Sequence, residues 1–119
     1  MKNRAITQSE RIGHAIDSIG HIMKICEGVD RDEFEQNLMV YSACLYQYAV
    51  VAEALSHVDS DILSKYDYPW YRVKSFRNFI LHEYHFITLR TVYDTTATML
   101  PDLKKLLIEI LEKEFSEKS

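Results

Sequence analysis

Between Phe34 and Leu55 the chain carries more apolar surface than a one-sided helix can bury, and that stretch limits the folds open to it. Phe34, Leu38, Tyr41, Leu45, Tyr48, Ala52 and Leu55 recur at three- and four-residue steps, the repeat of an α-helix. Val50 and Val51 widen the stripe beyond one face. A helix apolar over much of its circumference has to be covered from more than one side. The spacing predicts one long central helix over about residues 31–57, opened by the capping box Asp30-Arg31-Asp32-Glu33.

The flanking sequence supplies the covering helices. Thr7-Gln8-Ser9-Glu10 has capping-box spacing, and Ile12, Ala15, Ile16, Ile19, Ile22, Met23 and Cys26 follow at helical steps. This first helix should run over about residues 8–27 and stop at Gly28. Residues 58–68 form a polar connection containing Asp59, Ser60, Asp61 and Asp67. Pro69 suits the first turn of a helix over about 69–84, with Val73, Phe76, Phe79 and Ile80 as its core stripe. Thr88 is a candidate N-cap for about 89–99, where Leu89, Val92, Tyr93 and Met99 should face inward. Pro101 either breaks that helix or begins another over about 101–115, carrying Leu103, Leu106, Leu107, Ile110 and Leu111; the charged tail from Glu112 should fray. Three glycines, two prolines and no Asn-Gly or Asp-Gly leave little for hairpins. The expected fold is therefore all-α: residues 1–119 as one domain, an antiparallel up-and-down bundle of four to five helices.

Several function classes are disfavoured by composition. A net charge of -4 argues against broad, sequence-blind nucleic-acid binding. Yet Lys65, Arg72, Lys74, Arg77 and Arg90 face only Asp67 and Glu83 between residues 65 and 90. That segment is +3, leaving -7 for the rest of the chain. Such a basic island suits a localised anionic ligand, although Lys65 and Arg90 read more simply as solvated charges. Cys26 and Cys44 are expected to be buried free thiols, since two cysteines cannot complete a four-thiolate zinc site. His14 and His21 are too far apart to pair on a metal, and no metal or cofactor is expected. The N-terminus has no apolar run of signal-peptide length and no segment is expected to approach a membrane span, which gives the expectation of a cytoplasmic protein with no membrane partner.

The stretch Arg77-Asn78-Phe79-Ile80-Leu81-His82-Glu83-Tyr84 stands out because a helix needs none of its chemistry. At about 100° per residue, Arg77 and His82 lie roughly 140° apart on one helix. One helix alone would spread the pair around an edge, whereas two copies meeting across a twofold axis could gather both pairs into one cleft. Arginine matches phosphate with a permanent planar cation, and histidine titrates near neutrality. The two suffice, without metal, for attack of an RNA 2′-hydroxyl on its neighbouring phosphate. His82 would take the proton, Arg77 would stabilise the pentacoordinate phosphorus, and Asn78 would orient phosphate or imidazole. DNA lacks the 2′-hydroxyl and should survive. Glu53, near the end of the buried central helix, needs a partner, and an arginine from another helix is the economical one. A purely structural reading also stands: Arg77 pairs with Glu53 or Asp67, and His82 fills a helix end.

The same eight residues resemble the Arg-x4-His-x-Tyr signature of the HEPN superfamily, and more narrowly that of the HepT-like toxins paired with a minimal nucleotidyltransferase. The likeness extends to Ala52-Glu53-Ala54, Pro69-Trp70 and Leu100-Pro101-Asp102-Leu103, covering about residues 45–111. Tyr84-His85-Phe86-Ile87 departs from the usual Tyr-Phe-Gly-Ile, and Tyr93 stands in the place of a tryptophan. The resemblance implies a HEPN-like homodimer with both Arg77–His82 pairs lining an interfacial cleft. It implies a metal-independent endoribonuclease acting as a toxin on RNA. It further implies that the partner nucleotidyltransferase antitoxin transfers AMP to the Tyr84 hydroxyl; without it, Tyr84 is only a helix-end tyrosine. The alternative is a non-catalytic subunit that binds nucleotide or substrate for a nucleotidyltransferase.

Overall fold

Thr7 starts the first helix as its spacing requires. Its hydroxyl accepts from the Glu10 backbone N–H at 3.1 Å, and Glu10 Oε1 accepts from the Thr7 N–H at 2.9 Å. This helix, α1, spans Gln8–Ile25 in the computed structural model, which describes residues 6–82 and 88–115. Between 70 and 82, the side chains of Lys74, Arg77, Phe79, Ile80, Leu81 and His82 lie outside that description. Helix α1 ends at Cys26, two residues before Gly28, whose φ of +74° only glycine adopts without strain. Ile12, Ala15, Ile19 and Ile22 are fully buried, whereas Met23 is at the surface.

The central helix corrects the expectation of one continuous element. It is cut at Asn37 into α2 (Arg31–Gln36) and α3 (Leu38–Ser56). Asn37 is extended (φ -103°, ψ 98°), and its side-chain oxygen accepts from the Val40 N–H at 3.2 Å. Its own N–H still bonds the Glu33 carbonyl, so one residue closes α2 and caps α3. Asparagine does this because its side chain competes with the backbone for the helix's free donors. The break also moves Leu38 from its expected core position to 61% exposure. The polar connection contains a further short helix, α4 (Ser60–Leu63), capped by Asp59.

Helix α5 covers Trp70–His82, α6 Leu89–Thr98 and α7 Leu100–Phe115. Thr88 precedes α6 in extended backbone, but its hydroxyl makes no capping bond. Met99, expected inside, is 40% exposed at the α6–α7 corner. The fold is all-α: the described residues contain helices and turns and no strand. They form seven helices, of which five have ten or more residues.

Helix α3 packs on α1 and α5, α7 on α1 and α6, and α2 on α3 and α6. The core follows from these pairings: Ile12, Ile19, Cys44, Tyr48, Leu55, Val92, Leu107 and Ile110 belong to one buried cluster. By length and composition α3 is apolar enough to cross a bilayer, contrary to the expectation that no segment approaches a span. Here its apolarity serves the core, with Cys44, Leu45, Tyr48, Val51, Ala52, Ala54 and Leu55 buried.

Candidate functional site

Helix α5 is anchored at its start by the indole of Trp70. Its Nε1–H is shared between the carbonyls of Leu63 (2.9 Å) and Tyr66 (3.2 Å), and its ring lies 4.9 Å from that of Tyr68. One turn and a half later, Phe76 meets Tyr48 of α3 edge-on, with ring centroids 5.3 Å apart. These contacts fix which side of α5 faces the core.

Taking Phe76 as the inward direction, helical geometry assigns the other positions. At about 100° per residue, Asn78 lies roughly opposite Phe76, with the Arg77 and His82 positions flanking it. Asn78 is exposed, as that placement requires. Arg77 and His82 are both within α5, about 7.5 Å apart along its axis at 1.5 Å per residue. The helix thus brings the Arg77, Asn78 and His82 positions to its outer half. Tyr84, the candidate modification site, lies outside the described residues, as do the side-chain contacts of Arg77 and His82. Glu53 is half-exposed in the last turn of α3, where its Oε2 lies 2.8 Å from His57 Nε2.

The basic island divides by partner. Lys65 pairs with Glu114 at 3.0 Å and Arg90 with Glu35 at 3.4 Å, the surface roles expected of them. Arg72 has no ion pair among the described residues; its Nε–H donates to the Tyr71 hydroxyl at 3.2 Å and its guanidinium lies 5.8 Å from the Tyr71 ring centroid. Of the island, Arg72 is thus a cation with no carboxylate partner among the described residues. Among the described residues no group of three or more His, Cys, Asp or Glu is arranged to hold a metal.

The core side of α5 holds a feature the sequence reading missed. A cavity of about 390 Å³ opens between α3, α5, α6 and the start of α7, walled by Tyr48, Tyr68, Val73 and Phe76, with Arg72 among its lining residues. Thr88, Thr91 and Thr95 line the α6 side. Their three- and four-residue steps were the signal available in sequence: one hydroxyl-bearing face on a helix whose other face is apolar.

Comparison with known proteins places these observations in a family. Residues 15–110 match the HepT-like family model, described as ribonuclease HepT-like, and the chain belongs to that family. It is similar to a candidate RNase of Caldanaerobacter subterraneus subsp. tengcongensis, 26% identical over 102 residues that cover 79% of this chain and 91% of the relative. Two candidate RNases of Methanocaldococcus jannaschii are also similar. One is 28% identical over 98 residues, covering 82% of this chain and 84% of the relative. The other is 23% identical over 91 residues, covering 76% and 84% respectively. No solved structure matches the chain significantly.

Proposed function

We propose that this protein is a metal-independent endoribonuclease and the toxin of a toxin–antitoxin pair. The observation that carries the reading is membership of the HepT-like ribonuclease family over residues 15–110, a span that includes the Arg77-x4-His82 pair on α5. His82 removes the 2′-hydroxyl proton, the 2′ oxygen attacks phosphorus, and the bond to the 5′ oxygen breaks. Arg77 offsets the charge that gathers on the phosphoryl oxygens, with Asn78 orienting the group. The departing 5′ oxygen needs a proton, and in a symmetric dimer the protonated imidazole of the second copy supplies it. Glu53 holds the arginine in place.

A dimer is favoured by the outer side of α3, where Met39 is 81% and Tyr46 66% exposed. Tyr84 is the control point: a nucleotidyltransferase antitoxin transfers AMP from ATP to its hydroxyl and releases pyrophosphate. The adenylate adds bulk and negative charge two residues from His82, which opposes binding of RNA phosphate.

Purified protein in a metal chelator should cut RNA and spare DNA of the same sequence. His82→Ala and Arg77→Ala should each lower the rate by about 10²–10⁴-fold, the range of a positioned acid–base group, with the helical circular dichroism unchanged. Full activity in His82→Ala, or a requirement for divalent metal, overturns the mechanism. Nucleotide binding with no RNA cleavage would instead favour the non-catalytic subunit. Co-expression with a minimal nucleotidyltransferase antitoxin should add one AMP to Tyr84, read by peptide mass; an adduct on a different residue removes that part of the proposal.

A further inference from the structure

The turn after α1 brings two thiols together that the proposed chemistry does not use. Cys26 and Cys44 are eighteen residues apart in sequence, yet their Sγ atoms lie 3.3 Å apart. Both are free, and they are the chain's two cysteines, so no third thiol competes for either. Their environments differ. Cys44 is fully buried in α3, whereas Cys26 is half-buried at the C-cap of α1, two residues before the left-handed Gly28.

We propose that Cys26 and Cys44 form a peroxide-responsive disulfide site, with Cys26 reacting first and Cys44 resolving. Exposure selects Cys26 for the encounter, because peroxide reaches a half-buried sulfur before a fully buried one. A hydrogen bond from Cys44 also holds the Cys26 thiol below its ordinary range, against the opposing effect of burial. Cys44 is pushed up, first by its bond to Cys26 and then by burial, so Cys26 is the thiol of the pair that ionises more readily. The Cys26 thiolate attacks one peroxide oxygen, the O–O bond breaks, and water leaves after the hydroxide takes a proton. Cys26 is then a sulfenic acid. Cys44 attacks the Cys26 sulfur, its proton departs with the sulfenic oxygen as a second water, and the S–S bond closes. Two thiols are oxidised and one peroxide is reduced to two waters.

The ring so closed would enclose a docking segment of the fold. Between the cysteines lies α2 and its flanks, the segment on which α6 docks. The Tyr93 hydroxyl donates to the Val29 carbonyl at 2.6 Å, and the rings of Phe34 and Tyr93 are 5.5 Å apart. Arg31 pairs with Asp94 at 3.0 Å, and Glu35 with Arg90. Oxidation would tie this docking segment to both α1 and α3.

The full chain should be treated with hydrogen peroxide under native conditions and read by intact mass and thiol titration. The expected result is loss of two hydrogens and of both titratable thiols within one chain, reversed by dithiothreitol. Digestion should yield a peptide pair joined through Cys26 and Cys44. In Cys44→Ala, Cys26 should accumulate as a sulfenic acid trapped by dimedone. In Cys26→Ser, altered only at the half-buried position, Cys44 should lose its thiol more than tenfold more slowly than the wild type. Retention of both thiols in the wild type, cross-links only between chains, or unslowed oxidation of Cys44 in Cys26→Ser would each overturn the proposal.

Discussion

At the scale of single residues, the buried hydroxyl of Tyr48 shows how the core accommodates polarity. Tyr48 is 6% exposed and its OH donates to Thr96 Oγ1 at 2.5 Å; Thr96, 7% exposed, donates its own O–H to the Val92 carbonyl at 2.9 Å. Burial is the first cause that pushes the Tyr48 phenol above its ordinary range. The two ends of this relay differ in what they leave behind. Tyr48→Phe removes the donor while Thr96 keeps Val92, so it should cost about 1 kcal/mol. Thr96→Val strands a buried phenol with no acceptor and should cost more, toward about 3 kcal/mol. Urea unfolding of the two variants checks the order, which reverses if water reaches Tyr48. None of this was legible in sequence, where Tyr48 is one member of the central helix's apolar stripe. A separation of 48 residues carries no local signal, and only the packing of α3 on its neighbours brings the two hydroxyls together. Arg77 and His82 are the opposite case: their chemistry and spacing were visible without any fold.

At the scale of elements, helix starts were more legible than helix interiors. Thr7 and Asp30 cap where their spacing places them, because a cap is a three-residue contact written in adjacent sequence. The break at Asn37 was missed because the apolar stripe runs through it unbroken, although an asparagine before an apolar run is itself a cap signal. Contacts between distant elements were not legible at all. The Tyr66 hydroxyl donates to Glu114 Oε2 at 2.7 Å, and with Lys65 on the other oxygen this latches the end of α7 to the turn before α5. Tyr66 is raised to about 12, first by the bond to Glu114, and Glu114 is lowered, first by Tyr66 and then by Lys65. The signs give a window. The raised phenol contributes fully below about pH 10, its ordinary value, and its contribution disappears as pH climbs toward about 12. The lowered carboxylate contributes above its ordinary value of about 4.3 and loses that contribution as pH falls through its folded value. Tyr66→Phe should therefore melt below the wild type at neutral pH, with the gap narrowing at both extremes. A gap independent of pH would show that the latch acts through packing of the ring alone.

At the scale of the whole molecule, the all-α class was legible because sparse glycine and repeated three- and four-residue steps leave few alternatives. Family membership accounts for the chain's resemblance from the central helix through α7, and the matched span reaches back into α1. Assembly is the property that one chain's sequence encodes least directly. Met39 and Tyr46 are exposed on α3, at positions that helical spacing alone would place on an ordinary flank. If that side of α3 joins two copies, Tyr46→Asp should convert the dimer to monomer in sedimentation velocity. Cleavage should fall with it, because each cleft would lose its second Arg77–His82 pair. A stable dimer in Tyr46→Asp would move the interface elsewhere on the bundle.

The placement of Trp70 has an optical consequence. It is the chain's one tryptophan, and it stands at the foot of the helix that carries Arg77 and His82. Its indole N–H is held between two carbonyls, so its emission reports the seating of that helix and little else. Titration with RNA or association of two copies can be followed at this native fluorophore without a label.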